Sequence, residues 1–274
     1  YGYGTVVIQA GEDPGITGDW MSGLIRSIKN ETDLAVTLSL GERSDDEFRS
    51  WKEAGADRYL LRFETSNRRL YDLIHPPLPG VVSDRVEMLG RLRDMGYEIG
   101  SGIMIGIPGQ TYDDLVHDIE MFRFLDLDMI GVGPYIPHQA TPLGSLGAVL
   151  PLAEDEQVPN SEEMTYKVIA LTRLVCPMAN IPSSTALATL NTASGRELGL
   201  RRGANIVMPN ITPMKYRALY EIYPDKACLN ETAAECCSCM SRRIQSIGRN
   251  VGRGRGDSPN RSRNSLGERW REGQ

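Results

Sequence analysis

The stretch AVTLSLGERSDDEFRSWKEAGADRYLLRF, residues 35–63, reads as one β-α-β unit. Residues 35–40 and 58–63 are short, aliphatic and nearly continuous in apolarity, the pattern of strands buried on both faces of a parallel sheet. Between them, Ser44 stands three residues before Glu47, a capping box that opens a helix, and Gly55 closes it. The same alternation extends in both directions. Residues 5–10, 99–107, 129–135, 181–187 and 205–208 have strand character. Helical spacing follows most of them. Trp20, Met21, Leu24, Ile25 and Ile28 form one apolar face, and Ser83 caps a run with Val86, Leu89 and Leu92 that Gly96 ends. Thr111 caps a run with Leu115, Ile119 and Phe122. Met164, Val168, Leu171 and Val175 make a further stripe, and Pro213 opens one with Tyr216, Leu219, Tyr220 and Tyr223.

Alternating strands and helices predict an α/β fold with a parallel sheet. Seven units are one short of a (β/α)8 barrel, which needs about 250 residues, and a barrel is the expected architecture over an open doubly wound sheet. The first strand and its loop are expected ahead of Tyr1. Residues 1–249 are assigned to the barrel. Residues 250–274 carry Arg253, Arg255, Arg261, Arg263, Arg269 and Arg271 among Gly, Ser, Asn and Pro with no apolar period, and are expected to be a disordered tail.

Composition narrows the function. The 274 residues carry a net charge of −6 and are 41% hydrophobic, which excludes a disordered or collagen-like chain. An acidic chain argues against a nucleic-acid partner, and no apolar run approaches the roughly 18 residues of a membrane span. No signal segment opens the sequence, so a cytoplasmic location is expected. Four of the five cysteines, Cys228, Cys236, Cys237 and Cys239, fall within twelve positions, with Cys176 apart. That clustering fits a local thiolate site better than a secreted disulfide framework. Cys236-x-x-Cys239 is a chelating pair, and Cys228 supplies a third ligand. On spacing alone, an iron–sulfur cluster, a zinc site and plain thiols all remain open.

Ligands of α/β sheets bind at the carboxyl ends of the strands. Gln9, Ser39, Arg62, Glu64, Ser184 and Thr185 fall there. Arg62 alternates with apolar neighbours, so its guanidinium points into the lumen and needs a carboxylate, either from a ligand or from Glu64 two residues on. Ser184 and Thr185 suit an anionic group. His138, in a Pro-flanked loop, is a weak signal. No Gly-x-Ser-x-Gly elbow and no His-Glu-x-x-His helix occurs. Gly100, Gly102, Gly131 and Gly133 lie inside strands, where glycine makes room for a ligand or a close backbone.

Several runs at successive strand ends together resemble the radical S-adenosylmethionine (SAM) enzymes. They are VIQAGEDP at 7–14, VTLSLGE at 36–42, AGADRY at 54–59, PGQT at 108–111, GVGPYIPH at 131–138 and RGANIVMPN at 202–210. In detail they are similar to the HydE branch, maturases of [FeFe]-hydrogenase, and the likeness runs from about Thr5 to Arg249. The resemblance implies a (β/α)8 barrel that binds SAM on a [4Fe–4S] cluster and cleaves it reductively to a 5′-deoxyadenosyl radical. The implied substrate is an organometallic iron precursor of the hydrogenase cluster. The implied partners are other hydrogenase maturation proteins and an electron donor such as a flavodoxin or ferredoxin. Residue by residue it makes Gln9, Glu64 and Arg85 SAM contacts, Ser39, Arg62, Ser184 and Thr185 the substrate pocket, and Tyr223 the residue near the radical chemistry, with Met208 and Tyr220 in the same cavity. Cys228, Cys236 and Cys239 are similar to an accessory [2Fe–2S] site.

Two departures stand out. The family's Cys-x-x-x-Cys-x-x-Cys loop is absent and is expected upstream of Tyr1, so the chain as given is expected to be inactive. Ala10 stands where a hydroxyl would suit substrate binding. The rival expectations are a methylornithine-synthase or biotin-synthase-like enzyme, and a non-catalytic barrel that binds a small acid.

Overall fold

The computed structural model describes residues 1–75, 82–145, 152–220, 222, 224–228 and 231–260. Five strands, β1 (Thr5–Gln9), β2 (Ala35–Ser39), β3 (Arg58–Leu60), β4 (Glu98–Ile105) and β5 (Met129–Pro134), form one parallel sheet in sequential order. Helices cross over between them: α1 (Gly18–Glu31), α2 (Asp45–Glu53), α3 (Arg68–Ile74) with α4 (Arg85–Asp94), and α5 (Tyr112–Phe124). Beyond β5 the arc continues as single bridges, Met129 to Asn180, Val132 to Ser183, and Pro182 to Ile206. Sequential parallel neighbours joined by helices make this an arc of a (β/α) barrel, with the ligand-binding edge at the carboxyl ends.

The β-α-β unit at 35–63 forms as its sequence dictates. Ser44 and Glu47 make a reciprocal capping box, and Gly55 leaves the helix at φ +111°. Phe48 and Trp51 of α2 pack on Tyr59 of β3, all fully buried, with the Phe48 and Tyr59 rings edge to face at 4.8 Å. Their polar tips are satisfied. Trp51 Nε1 donates to the Gly18 carbonyl at 3.0 Å and Tyr59 Oη to the Gly41 carbonyl at 2.8 Å. The second bond ties the core to the loop after β2, where the site begins.

Four expectations need correction. Trp20 is 61% exposed while Met21 and Ile25 are buried. The buried stripe is centred on Met21, and a residue one step back lies about 100° away around the helix. Asp84, not Ser83, caps α4, its side chain accepting from Glu87 N; Ser83 is taken by Glu42 instead. The strand expected over 181–187 stops early, because Ser184 caps a helix, α8 (Thr185–Leu190), that follows α6 (Pro142–Ser145) and α7 (Glu162–Val175). The run opened by Pro213 shrinks to α10 (Met214–Arg217) and a single 3-10 turn, after α9 (Gly195–Arg201), and Leu219 is 81% exposed.

The tail boundary moves as well. Residues 250–260 are not loose but cross the amino-terminal ends of the strands. Thr5 Oγ1 donates to the Arg255 carbonyl at 2.6 Å and Asn180 Nδ2 to the Gly256 carbonyl at 3.0 Å. Arg58, buried and bonded to Glu98 at 2.7 Å, also pairs with Asp257, while Arg255 pairs with Asp57. Ser258 and Asn260 are buried. Of the arginines that made this segment look solvated, Arg255 is matched here by Asp57 of the barrel floor. Residues 261–274 lie outside the described residues.

Candidate active site

A cavity of about 1030 Å³ opens at the carboxyl ends of the strands. Gln9, Ser39, Arg62, Glu64, Ser184 and Thr185 all line it, so six of the side chains named from sequence converge on one space. Met208 and His138 line it too. His138 is occupied in its own loop, its Nδ1 accepting from Ala140 N at 3.1 Å. Tyr220 is not on the wall, and Tyr223 lies outside the described residues.

The strand glycines divide by role. A Cβ on Gly102 would fall 2.1 Å from the Gly131 carbonyl oxygen, so that glycine lets two strands pair. Gly131 and Gly133 lie on the cavity wall, where a side chain would take up ligand space.

Arg62 and Glu64 form a two-point ion pair, Nε to Oε1 and Nη2 to Oε2, both at 2.9 Å. Arg62 Nη2 also donates to the Ile103 carbonyl at 2.6 Å. The intramolecular partner weighed from sequence is the one present. Glu64 adopts φ +62°, a left-handed conformation that a non-glycine residue takes only where its surroundings impose it. Its N–H bonds the Gly102 carbonyl at 3.0 Å and its carbonyl accepts from Met104 N at 3.2 Å, so β4 grips it from both sides.

Arg85, the first residue of α4, does not line the cavity. Its Nε donates to Glu42 at 2.7 Å, its Nη2 to Glu12 at 3.0 Å and its Nη1 to the Arg62 carbonyl at 2.7 Å. Arg85 thus staples the loops after β1, β2 and β3 together, with its whole fork engaged. Burial raises the Glu42 carboxyl, but the bonds from Ser83 and Arg85 outweigh it and the net shift is downward. The carboxylates Glu12 and Glu42 stood at strand ends in the sequence, but nothing there showed that they share one guanidinium.

The cysteines arrange differently from expectation. Cys236 is buried on α11 (Ala233–Ser246), near Cys228, while Cys239 pairs with Arg243 and Cys237 faces the Tyr1 carbonyl at 3.8 Å. Among the described residues no group of three or more His, Cys, Asp or Glu could hold a metal ion. The residues present therefore do not gather Cys228, Cys236 and Cys239 into a cluster site.

An arc of parallel strands with a large polar-rimmed cavity at its carboxyl edge defines a barrel of the kind that binds a small ligand at its mouth. The sequence model of the Radical SAM superfamily matches residues 1–122. The [FeFe] hydrogenase maturase subunit HydE of Thermotoga maritima is 44% identical over 253 residues, covering 92% of this chain and 68% of that protein. The 3-methylornithine synthase of Methanosarcina acetivorans is 27% identical over 75% of this chain and 55% of its own length. Among solved structures, methylornithine synthase superposes with a TM-score of 0.72 at 25% identity, covering 92% of this chain and 69% of that one. The chain belongs to the radical SAM enzymes, in the family of the hydrogenase maturase HydE. Among the described residues no helix is long and apolar enough to cross a membrane.

Proposed function

We propose that the chain forms the SAM- and substrate-binding barrel of a HydE-type maturase, acting on an organometallic iron precursor during assembly of the hydrogenase cluster. The observation that carries this reading is the convergence of Gln9, Ser39, Arg62, Glu64, Ser184 and Thr185 on one cavity of about 1030 Å³. The wall fits SAM chemically. A carboxylate, Glu64, suits the ammonium of its methionine part, and the Arg62 guanidinium, with the Ser184 and Thr185 hydroxyls, suits carboxylates deeper in. SAM, when bound and reduced, supplies a 5′-deoxyadenosyl radical.

The chain's own residues orient and enclose. Arg62 offers a fixed fork to an anionic ligand, which takes over bonds that Glu64 now holds. Arg85 keeps the three loops of the rim in register through Glu12, Glu42 and the Arg62 carbonyl. A cavity walled by apolar strand residues such as Val7, Leu60, Met104 and Val132 excludes water from a reactive species. No cysteine stands among residues 1–175, so this stretch has no thiolate for a [4Fe–4S] cluster. We assign the partners to the same reading: hydrogenase maturation proteins and a flavodoxin or ferredoxin as reductant.

The test is anaerobic reconstitution of the complete protein with iron and sulfide, followed by an assay for 5′-deoxyadenosine under reducing conditions. Formation of the nucleoside with an organometallic iron substrate is expected. An iron-loaded protein that forms none overturns the reading, and turnover of an amino acid in place of the iron compound would favour the methylornithine-synthase alternative.

A further inference from the structure

Behind the cavity wall, α5 carries two buried carboxylates one turn apart, Asp114 and Asp118, that face the loop leaving β3. Asp118 is fully buried. Its Oδ1 accepts from both Ser66 N at 2.5 Å and Ser66 Oγ at 2.6 Å, while its Oδ2 has no hydrogen-bond partner among the described residues. Asp114 caps its own helix through Thr111 and accepts from Asn67 Nδ2 at 2.8 Å with its other oxygen. Ser66 and Asn67 follow directly on Glu64 and Thr65, and Glu64 is the residue held in left-handed backbone against Arg62.

A carboxylate sealed from water with one oxygen unmatched is an expensive way to anchor a loop. A neutral acceptor would satisfy the same two Ser66 donors at lower cost. The group is not among the residues that line the cavity, so its contribution passes through the backbone it grips. Burial drives the Asp118 carboxyl up to about 7, against the downward pull of the Ser66 bonds.

We propose that Asp118, assisted by Asp114, is a positioning residue of the candidate site: by clamping Ser66 and Asn67 it holds Glu64 in its left-handed conformation with its carboxylate at the cavity. The inference rests on the reading of that cavity as the SAM site and names a determinant no ligand touches. β4 holds the N–H and carbonyl of Glu64 itself, while the pair holds Ser66 and Asn67, the residues that carry the chain onward from it.

The test measures SAM affinity by calorimetry on the anaerobically prepared, iron–sulfur-loaded full-length protein. Asp118→Ala is expected to weaken SAM binding about tenfold, and Asp118→Asn, which keeps an acceptor at the same place, to restore it to within about twofold. Ile119→Ala, on the same helix and facing the core, is the control for general loosening: its melting temperature falls but its affinity for SAM stays. In a Glu64→Ala background the further change Asp118→Ala is expected to have no effect on affinity, because the group it positions is gone. Should Asp118→Ala fail to fold, Ser66→Ala removes one of the two donors and is expected to cost about threefold. Wild-type affinity in Asp118→Ala or Ser66→Ala, or an undiminished loss in the Glu64→Ala background, overturns the proposal. Wild-type protein that does not bind SAM overturns the reading of the cavity itself, and the inference with it.

Discussion

Replacing Asp118 by Asn removes a titration whose amplitude and direction the structure sets. The native carboxyl is raised from 3.8 to about 7, chiefly by burial, with Asp114 adding to the rise and the Ser66 bonds and His117 opposing it. Between those two values the folded protein keeps a proton that the unfolded chain has released. Stability therefore falls with rising pH, by about 1.4 kcal/mol per pH unit. Below the lower value both states are protonated, above the upper both are ionised, and the slope vanishes. The upper bound on the whole effect is about 4 kcal/mol, and relaxation around the ionised group reduces it. Asp128, raised to about 6 by burial, acts in the same direction but is present in both proteins and cancels in the difference. Guanidinium denaturation followed by circular dichroism at intervals from pH 4 to 8 gives the comparison. The Asn variant is expected to match wild type near pH 4 and to gain on it steadily to pH 7, then run parallel. A difference that stays flat across that range refutes the account, because it would mean that Asp118 titrates as an exposed carboxyl does.

Other perturbations test the rim and the floor. Arg85→Ala leaves Glu12, Glu42 and the Arg62 carbonyl without their shared cation and is expected to cost about 1.5–3 kcal/mol in denaturant unfolding, the range for hydrogen bonds to a charged group; an unchanged stability would show that Arg85 does not hold the rim loops together. Arg58→Ala takes the buried guanidinium from between Glu98 and Asp257 and is expected to cost about 3–5 kcal/mol in denaturant unfolding; a loss below about 1 kcal/mol would show those pairs to be screened by solvent. Gly4→Ala would place a Cβ 1.7 Å from the Gly254 carbonyl oxygen, so the crossing segment must lift away. Faster proteolysis around residues 250–260 and a loss of about 1–3 kcal/mol are expected, and a protease pattern identical to wild type would count against the docked segment.

The local elements were legible because their causes are local. A capping box needs only Ser44 and Glu47, and a helix stop only the positive φ that Gly55 and Gly96 provide. Strand ends pointed to the cavity because in a parallel sheet all carboxyl ends face one way. The Arg62–Glu64 pair could be named because the two stand two residues apart, within reach of one guanidinium, although both lie beyond the end of β3.

What stayed hidden depends on partners far apart in the chain. Ser83 has the chemistry of a cap, but Glu42, forty-one residues away, claims its hydroxyl. Arg85 looked free to fork onto a ligand, and its three partners come from three different loops. The segment at 250–260 has a solvated composition and no apolar period, yet it docks because Asp57, Arg58 and Glu98 meet it at the barrel floor. The sequence alone determined the alternation of strands and helices from β1 to β5, because that follows from periodicity and short-range hydrogen bonds. Only the tertiary structure decided which charge meets which, because an ion pair is a matter of distance in space, and the fold brings together groups that lie scores of residues apart along the backbone.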